Sequence, residues 1–177
     1  MKSIFLREWE LEDAPAIAKA ADNSKIADNL RNAFPHPYTL EDAEWFIRDC
    51  IAHKEDDRLM YAIIADEMPV GSISVVRMED VYERSAELGY WLAEDYWRQG
   101  IMLQAVRMIC REAFDSFDIN RIFAEPFAQN AASRGLLEKA GFFCEGTMRD
   151  GIYKNGRTDS YCIYSLLRKE KERLDGN

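Results

Sequence analysis

Glu87-Leu-Gly-Tyr-Trp-Leu-Ala-Glu-Asp-Tyr-Trp-Arg-Gln-Gly100-Ile-Met-Leu-Gln-Ala-Val106 reads as a β-strand, a short turn and a helix whose first turn carries Gly100. The first turn of a helix leaves its backbone N–H groups without intrahelical partners, and the helix dipole adds partial positive charge there. An anion can therefore dock against Gly100, Ile101, Met102 and Leu103 without a metal or a lysine. A lone glycine at a strand-to-helix turn also arises for steric reasons alone, so this segment by itself leaves both readings open.

A second unit follows. Arg121-Ile-Phe-Ala-Glu-Pro126 reads as another strand, and Asn130-Ala-Ala-Ser133-Arg-Gly-Leu-Leu-Glu138-Lys139-Ala-Gly141-Phe142 as a capped helix ending at a glycine. The pairing of the two units resembles the GNAT superfamily of acetyl-CoA-dependent N-acetyltransferases. Within it the chain is most similar to the ribosomal-protein N-terminal acetyltransferases and their small bacterial relatives. The residues that carry the resemblance are ELGYWL at 87–92, YWRQGIM at 96–102, NAAS at 130–133, LEKAGF at 137–142 and the final hairpin RDGIYKNGRTDSYCIYSLL.

The resemblance implies an α+β GNAT fold: a central mixed, mostly antiparallel sheet of six to seven strands, helices on both faces, and strands splayed at the acetyl-CoA site. The strand before the cradle, Glu87 to Ala93, is expected to carry a bulge and to offer free peptide groups to the pantetheine arm. Trp97, Arg98, Gln99, Gly100, Ile101, Met102 and Leu103 would hold the diphosphate. The superfamily loop reads Gln/Arg-x-x-Gly-x-Gly/Ala, and here only the central glycine remains, with Arg98 where many relatives have a second one. Trp91, Leu92 and Ala93 would border the cofactor, and a backbone N–H near Trp91 or Leu92 would polarise the acetyl carbonyl.

The resemblance also implies that Asn130 caps its helix or pairs with the pantetheine amides, and that Ser133 donates to the departing thiolate. Other branches carry a tyrosine acid seven residues after the asparagine, where this chain has Leu137. The general base is Glu87 or Glu125, with Glu87 favoured. The carboxylate that the prototype ribosomal-protein enzymes carry in the final hairpin falls on Ile152. By the same analogy the acceptor groove is lined by Asn29, Arg31, Phe34 and Tyr38, and by Tyr153 and Arg157 of the final hairpin.

An α-amino group has a pKa near 8 and a lysine amine one near 10.4, about 3 kcal/mol apart in the cost of deprotonation at neutral pH, so a site without a strong base suits α-amines. The expected acceptor is a protein or peptide N-terminus. A small-molecule amine (antibiotic, polyamine or metabolite) and a CoA-binding module without turnover are the alternatives. Relatives are monomers or dimers, so a monomer or homodimer is expected.

Composition sets the outer bounds. The 177 residues, 47% of them apolar, fit a single domain over residues 1–170 with a charged tail at 171–177, and the chain from Arg168 onward is expected to fray. A net charge of −9 argues against a phosphate-backbone footprint on nucleic acid; it suits a cationic amine substrate or an ordinary acidic surface. No apolar run approaches membrane-spanning length, and the expected setting is soluble and cytoplasmic. Cys50, Cys110, Cys144 and Cys162 lack CxxC spacing and read as buried free thiols, and with His36 and His53 the only histidines no metal site is expected.

The remaining elements follow from periodicity. Residues 3 to 9 alternate as a first strand, Ala14 to Ala21 repeat at helical spacing with Pro15 in the opening turn, and Thr39 with Asp42 caps a helix through Trp45 and Ile51. Leu59 to Ala65, Val70 to Val76 and residues 84 to 92 form an antiparallel meander. Residues 142 to 153 and 157 to 167 form a hairpin across Asn155-Gly156.

Overall fold

The structure, a computed structural model, describes residues 3–54 and 57–175. One sheet holds seven strands: β1 (Ile4–Arg7), β2 (Arg58–Ala65), β3 (Met68–Arg77), β4 (Ser85–Leu92), β5 (Arg121–Ala124), β6 (Phe143–Lys154) and β7 (Arg157–Leu167). Their order is β1-β2-β3-β4-β5-β7-β6, and every neighbouring pair is antiparallel except β4 and β5. The helices are α1 (Ala14–Ala21), α2 (Ser24–Ala27), α3 (Leu40–Ala52), α4 (Ile101–Ser116) and α5 (Ala131–Lys139). Among the described residues no helix is long and apolar enough to cross a membrane.

Both faces of the sheet are covered. On β2, Ala62 and Ile64 pack with Ile17 of α1 and Ile47 of α3, whereas Ile63 and Ala65 pack with Ile101, Ala105 and Ile109 of α4. Alternation of side chains along a strand produces this division, and burial on both sides explains why β2 ends in the unbroken apolar run Ala62-Ile-Ile-Ala65. The capping box at α3 is present: the Asp42 amide donates to Thr39 Oγ1 at 3.2 Å and the Thr39 amide to the Asp42 carboxylate at 2.8 Å. The β6–β7 turn has φ of 51° at Asn155 and 76° at Gly156, the left-handed pair that such a two-residue connection requires.

Two features open the sheet. β4 pairs with β5 only through Ser85–Arg121, Ala86–Ile122 and Glu87–Phe123, and then continues alone on that side to Leu92. The expected splay is thus present. The expected bulge on β4 is not: its register with β3 runs without a break from Ala86 opposite Arg77 to Leu92 opposite Gly71. The irregularity lies one strand away, where Ile63 pairs with Gly71 but Ile64 with Pro69, leaving Val70 as the extra residue on β3. A Cβ on Gly71 would sit 2.4 Å from the Trp91 carbonyl oxygen, so this close approach of β3 to β4 requires glycine.

Two further expectations are corrected. Cys144 is exposed, because β6 is the edge strand, whereas Cys50, Cys110 and Cys162 are buried. The chain after Leu167 does not fray: Arg168–Asp175 forms 3₁₀ turns with Leu174 fully buried, and Gly176 and Asn177 lie outside the described residues. Arg168 donates to the carbonyl oxygens of Phe114 (2.6 Å), Phe117 (2.7 Å) and Ile119 (2.7 Å), meeting acceptors that the end of α4 leaves open. Charged residues there are anchors rather than a solvated run. Replacing Arg168→Ala should lower the unfolding free energy by about 2–3 kcal/mol in urea denaturation, since buried carbonyls lose a charged donor; a change under about 0.5 kcal/mol would show that these bonds do not hold the C-terminus.

Candidate active site

Alternation along β4 organises the site. The Met78 amide donates to Ser85 O at 2.9 Å and the Ala93 amide to Val70 O at 2.8 Å, which fixes the phase of the ladder. The peptide groups of Glu87, Gly89, Trp91 and Ala93 face β3; those of Leu88, Tyr90 and Leu92 face the gap where β5 has turned away. Of the two amides expected as donors, that of Leu92 faces the gap and that of Trp91 faces β3, as does the amide of Ala93. The Leu92 carbonyl accepts the Trp97 indole N–H at 2.7 Å, so Trp97 ties the following turn back onto the strand.

That turn runs through a short 3₁₀ segment, Glu94–Tyr96, to Gly100, which has φ 77° and ψ 3°. Gly100 is the N-cap of α4 rather than a residue of its first turn, and it leaves the amides of Ile101, Met102 and Leu103 without an α-helical acceptor. The side chains of Ile101 and Met102 are buried in the core, so these residues offer backbone only. Arg98 also sits in the left-handed region, at φ 58°, a conformation that disfavours any residue with a Cβ. Gln99 donates to Asp95 O at 2.8 Å. Glu94 is held by Lys25 and by Asn23 Nδ2 at 2.8 Å; these bonds keep its carboxyl below the usual range and fasten α2 to the cradle.

Across the gap stands α5. Asn130 Oδ1 accepts the Ser133 amide at 3.0 Å, the N-cap bond expected of it. The Ser133 hydroxyl lies 2.7 Å from the Tyr90 hydroxyl, so a side chain of β4 meets the first turn of α5 directly. Burial pushes the Tyr90 hydroxyl well above the usual tyrosine range, with the Ser133 bond acting in the opposite direction. Tyr90 lies inside the ELGYWL motif, yet sequence reasoning used that strand only for its backbone and for the side chain of Glu87. The available signal was a polar tip at an alternation position shared with Ala86, Leu88 and Leu92.

The opposite face of β4 carries Glu87 and Trp91. Arg31 bridges two carboxylates: it donates to Glu87, one of the bonds at 3.2 Å, and to Glu125 at 2.8 Å. The Glu87 hydrogen bond is the largest influence raising the Arg31 pKa, with burial opposing it. Beside this trio opens a cavity of about 390 Å³, lined among others by Asn32, Phe127, Tyr153 and Tyr161. Asn155 Nδ2 donates to Asp28 at 2.8 Å, so the tip of the last hairpin is tied to the segment after α2.

The expected groove residues divide. Tyr153, 70% exposed, lines the cavity. Phe34 stacks edge-on against Trp91 with ring centroids 5.8 Å apart. Arg31 is committed to the two glutamates, and Asn29 turns its amide onto Lys25 O at 2.9 Å. Tyr38 belongs to the core rather than the groove: it is 7% exposed, packed on Phe34, and burial pushes its hydroxyl up to about 12. Among the described residues no three His, Cys, Asp or Glu side chains gather in a way that could hold a metal.

Residues 3–143 match the profile of the acetyltransferase (GNAT) domain. The chain belongs to the GNAT family. YdaF of Bacillus subtilis (strain 168), provisionally assigned as a ribosomal N-acetyltransferase, is 36% identical over 110 residues, which is 62% of this chain and 60% of that protein. The N-acetyltransferase YoaA of the same organism is 34% identical over 168 residues, 93% of each chain. The solved structure of RimL, a ribosomal L7/L12 α-N-protein acetyltransferase in complex with coenzyme A, superposes with a TM-score of 0.84 at 22% identity, covering 96% of this chain and 97% of that one, and establishes the fold alone.

The protein is an N-acetyltransferase, and acetyl-CoA is its acetyl donor. The residues suit that substrate: the open peptide groups of Leu88 and Tyr90 and the open N–H of Leu92 match an amide-bearing arm, and the amides after Gly100 match a diphosphate. The left-handed backbone at Arg98 persists in a turn where glycine would be easier. Arg98→Gly should therefore raise the unfolding free energy of the ligand-free protein by about 1 kcal/mol while weakening acetyl-CoA binding, read by urea denaturation and calorimetry. Unchanged acetyl-CoA affinity would remove the guanidinium from the cradle.

Proposed function

We propose that the enzyme acetylates the α-amine of a protein or peptide N-terminus, with Glu87 as the base and Ser133 as the donor to the leaving thiolate. The observation that carries this reading is the division of β4. Glu87 is bridged by Arg31 to Glu125, which lines the acceptor cavity, Tyr90 projects to Ser133 on the other side, and the unpaired edge between them is where a thioester would lie. Support for the acceptor class comes from the provisional assignment of YdaF as a ribosomal N-acetyltransferase.

The incoming amine must be neutral to attack. Glu87, relayed by a water, takes its proton, and Arg31 keeps Glu87 and Glu125 side by side by offsetting their repulsion. The amine nitrogen bonds to the acetyl carbon, and the negative charge that develops on the carbonyl oxygen is met by the Leu92 amide, a contribution of about 3 kcal/mol for a donor of this kind. As the tetrahedral centre collapses the C–S bond breaks, and its electron pair leaves on sulfur, where Ser133 donates a hydrogen bond. Acetyl-CoA and newly made N-termini meet in the cytoplasm, where this reaction belongs.

Thiol release from acetyl-CoA, measured over N-terminal peptides, polyamines and aminoglycosides, tests the reading. Peptides should give the highest kcat/KM, and Glu87→Gln should lower it about 100-fold at neutral pH, the lower end of what a general base supplies. The deficit should shrink as pH rises through the α-amine pKa near 8, because an amine already neutral needs no base. Preference for polyamines or aminoglycosides, or an effect of Glu87→Gln that does not vary with pH, would overturn it.

A further inference from the structure

Tyr90 has no part in the bond-making and bond-breaking of acetyl transfer, yet among the described bonds its hydroxyl has one partner, Ser133 Oγ at 2.7 Å. The tyrosine is held on both sides of its Cα by the β3–β4 ladder, with Gly89 opposite Ser74 and Trp91 opposite Ser72, and its ring packs against the apolar core under α4. Ser133 is fixed at the other end by the Asn130 cap. Two hydroxyls from separate elements are thus brought to hydrogen-bond distance across the gap that β4 and β5 leave open.

The direction of that bond decides what Ser133 can do. A serine hydroxyl has one proton and two lone pairs. If Ser133 donated to Tyr90, its proton would be spent; if Tyr90 donates to Ser133, the serine proton stays available to a third atom. We infer that Tyr90 is a positioning residue that donates its O–H to Ser133 Oγ and so aims the Ser133 proton at the sulfur of the leaving coenzyme. Burial favours the phenol form of Tyr90, so its proton is available for this bond. No proton is consumed at Tyr90. The sulfur leaves with the electron pair of the broken C–S bond, is stabilised by the Ser133 hydrogen bond, and takes its final proton from solvent, while the proton lost by the amine leaves through Glu87.

The inference rests on the proposed role of Ser133, and a binding titration separates the two without any knowledge of the acceptor. The thiolate absorbance of bound CoA is followed against pH, with the desulfo-CoA complex subtracted to remove the protein's own cysteines. Hydrogen bonds to charged groups are strong enough that Tyr90→Phe and Ser133→Ala should each cut the thiolate fraction near pH 8 about ten-fold, and the double variant should fall no further. Desulfo-CoA affinity should stay within about two-fold in all variants, since it carries no sulfur to stabilise. If Ser133→Ala leaves the fraction unchanged, the role of Ser133 fails and the inference with it. A loss in Ser133→Ala but not in Tyr90→Phe overturns the inference alone. So does a loss in Tyr90→Phe matched by an equal loss of desulfo-CoA affinity, which would mark a packing role.

Discussion

β4 stays bonded to β3 along its whole length while parting from β5 after the Glu87–Phe123 pair, and the site depends on that divergence. A strand inside a sheet normally satisfies both of its edges, and a buried peptide group left without a partner costs about 1–3 kcal/mol. The open stretch from Leu88 to Leu92 is tolerable only where water or a ligand with its own amides fills it. A linear, amide-bearing carrier is such a ligand. The extra residue at Val70 and the glycine at Gly71 let β3 follow β4 as it departs, so the neighbouring strand is shaped to the same purpose.

Divergence alone would give a slot without chemistry. Alternation along β4 sends Glu87 and Trp91 to one side and Tyr90 to the other, so that the proposed base and leaving-group partner do not compete for space. The loop and hairpin around the acceptor cavity are fixed by polar ties at three places: Asn23 and Lys25 on Glu94, Asp28 on Asn155, and Arg31 on Glu87 and Glu125. These contacts involve exposed partners and contribute little to stability. Their value is positional: two of them join the segment around α2 to β4 or the turn after it, and the third joins that segment to the last hairpin.

Much of this was legible in the sequence, for physical reasons that differ by element. The capping box at Thr39, the left-handed turn at Asn155-Gly156 and the apolar stripe of α4 are local signals, and local signals translate directly into backbone geometry. The splay came through the resemblance carried by residues 87–102 and 130–142. Long-range polar contacts were not legible. Nothing in the segment around Arg31 announces that its guanidinium reaches β4 and the end of β5, and Tyr38 reads as a groove residue until the burial around Phe34 is known. The bulge was assigned to β4 because the strand that uses it is β4; the residue that relieves the register sits on β3. Charge misled at the C-terminus, where Arg168 meets carbonyls of the helix end instead of solvent.

A crystal structure of the protein with CoA most directly tests whether the edge abandoned by β5 is where the thioester carrier binds. The pantetheine arm should run along Leu88 to Leu92 with its amides bonded to the peptide groups of that edge, the diphosphate should rest on the amides after Gly100, and the sulfur should lie within hydrogen-bond reach of Ser133 Oγ. A carrier bound on another surface, or an arm that passes outside the gap while β4 and β5 close behind it, would contradict the origin of the site in the parting of these two strands.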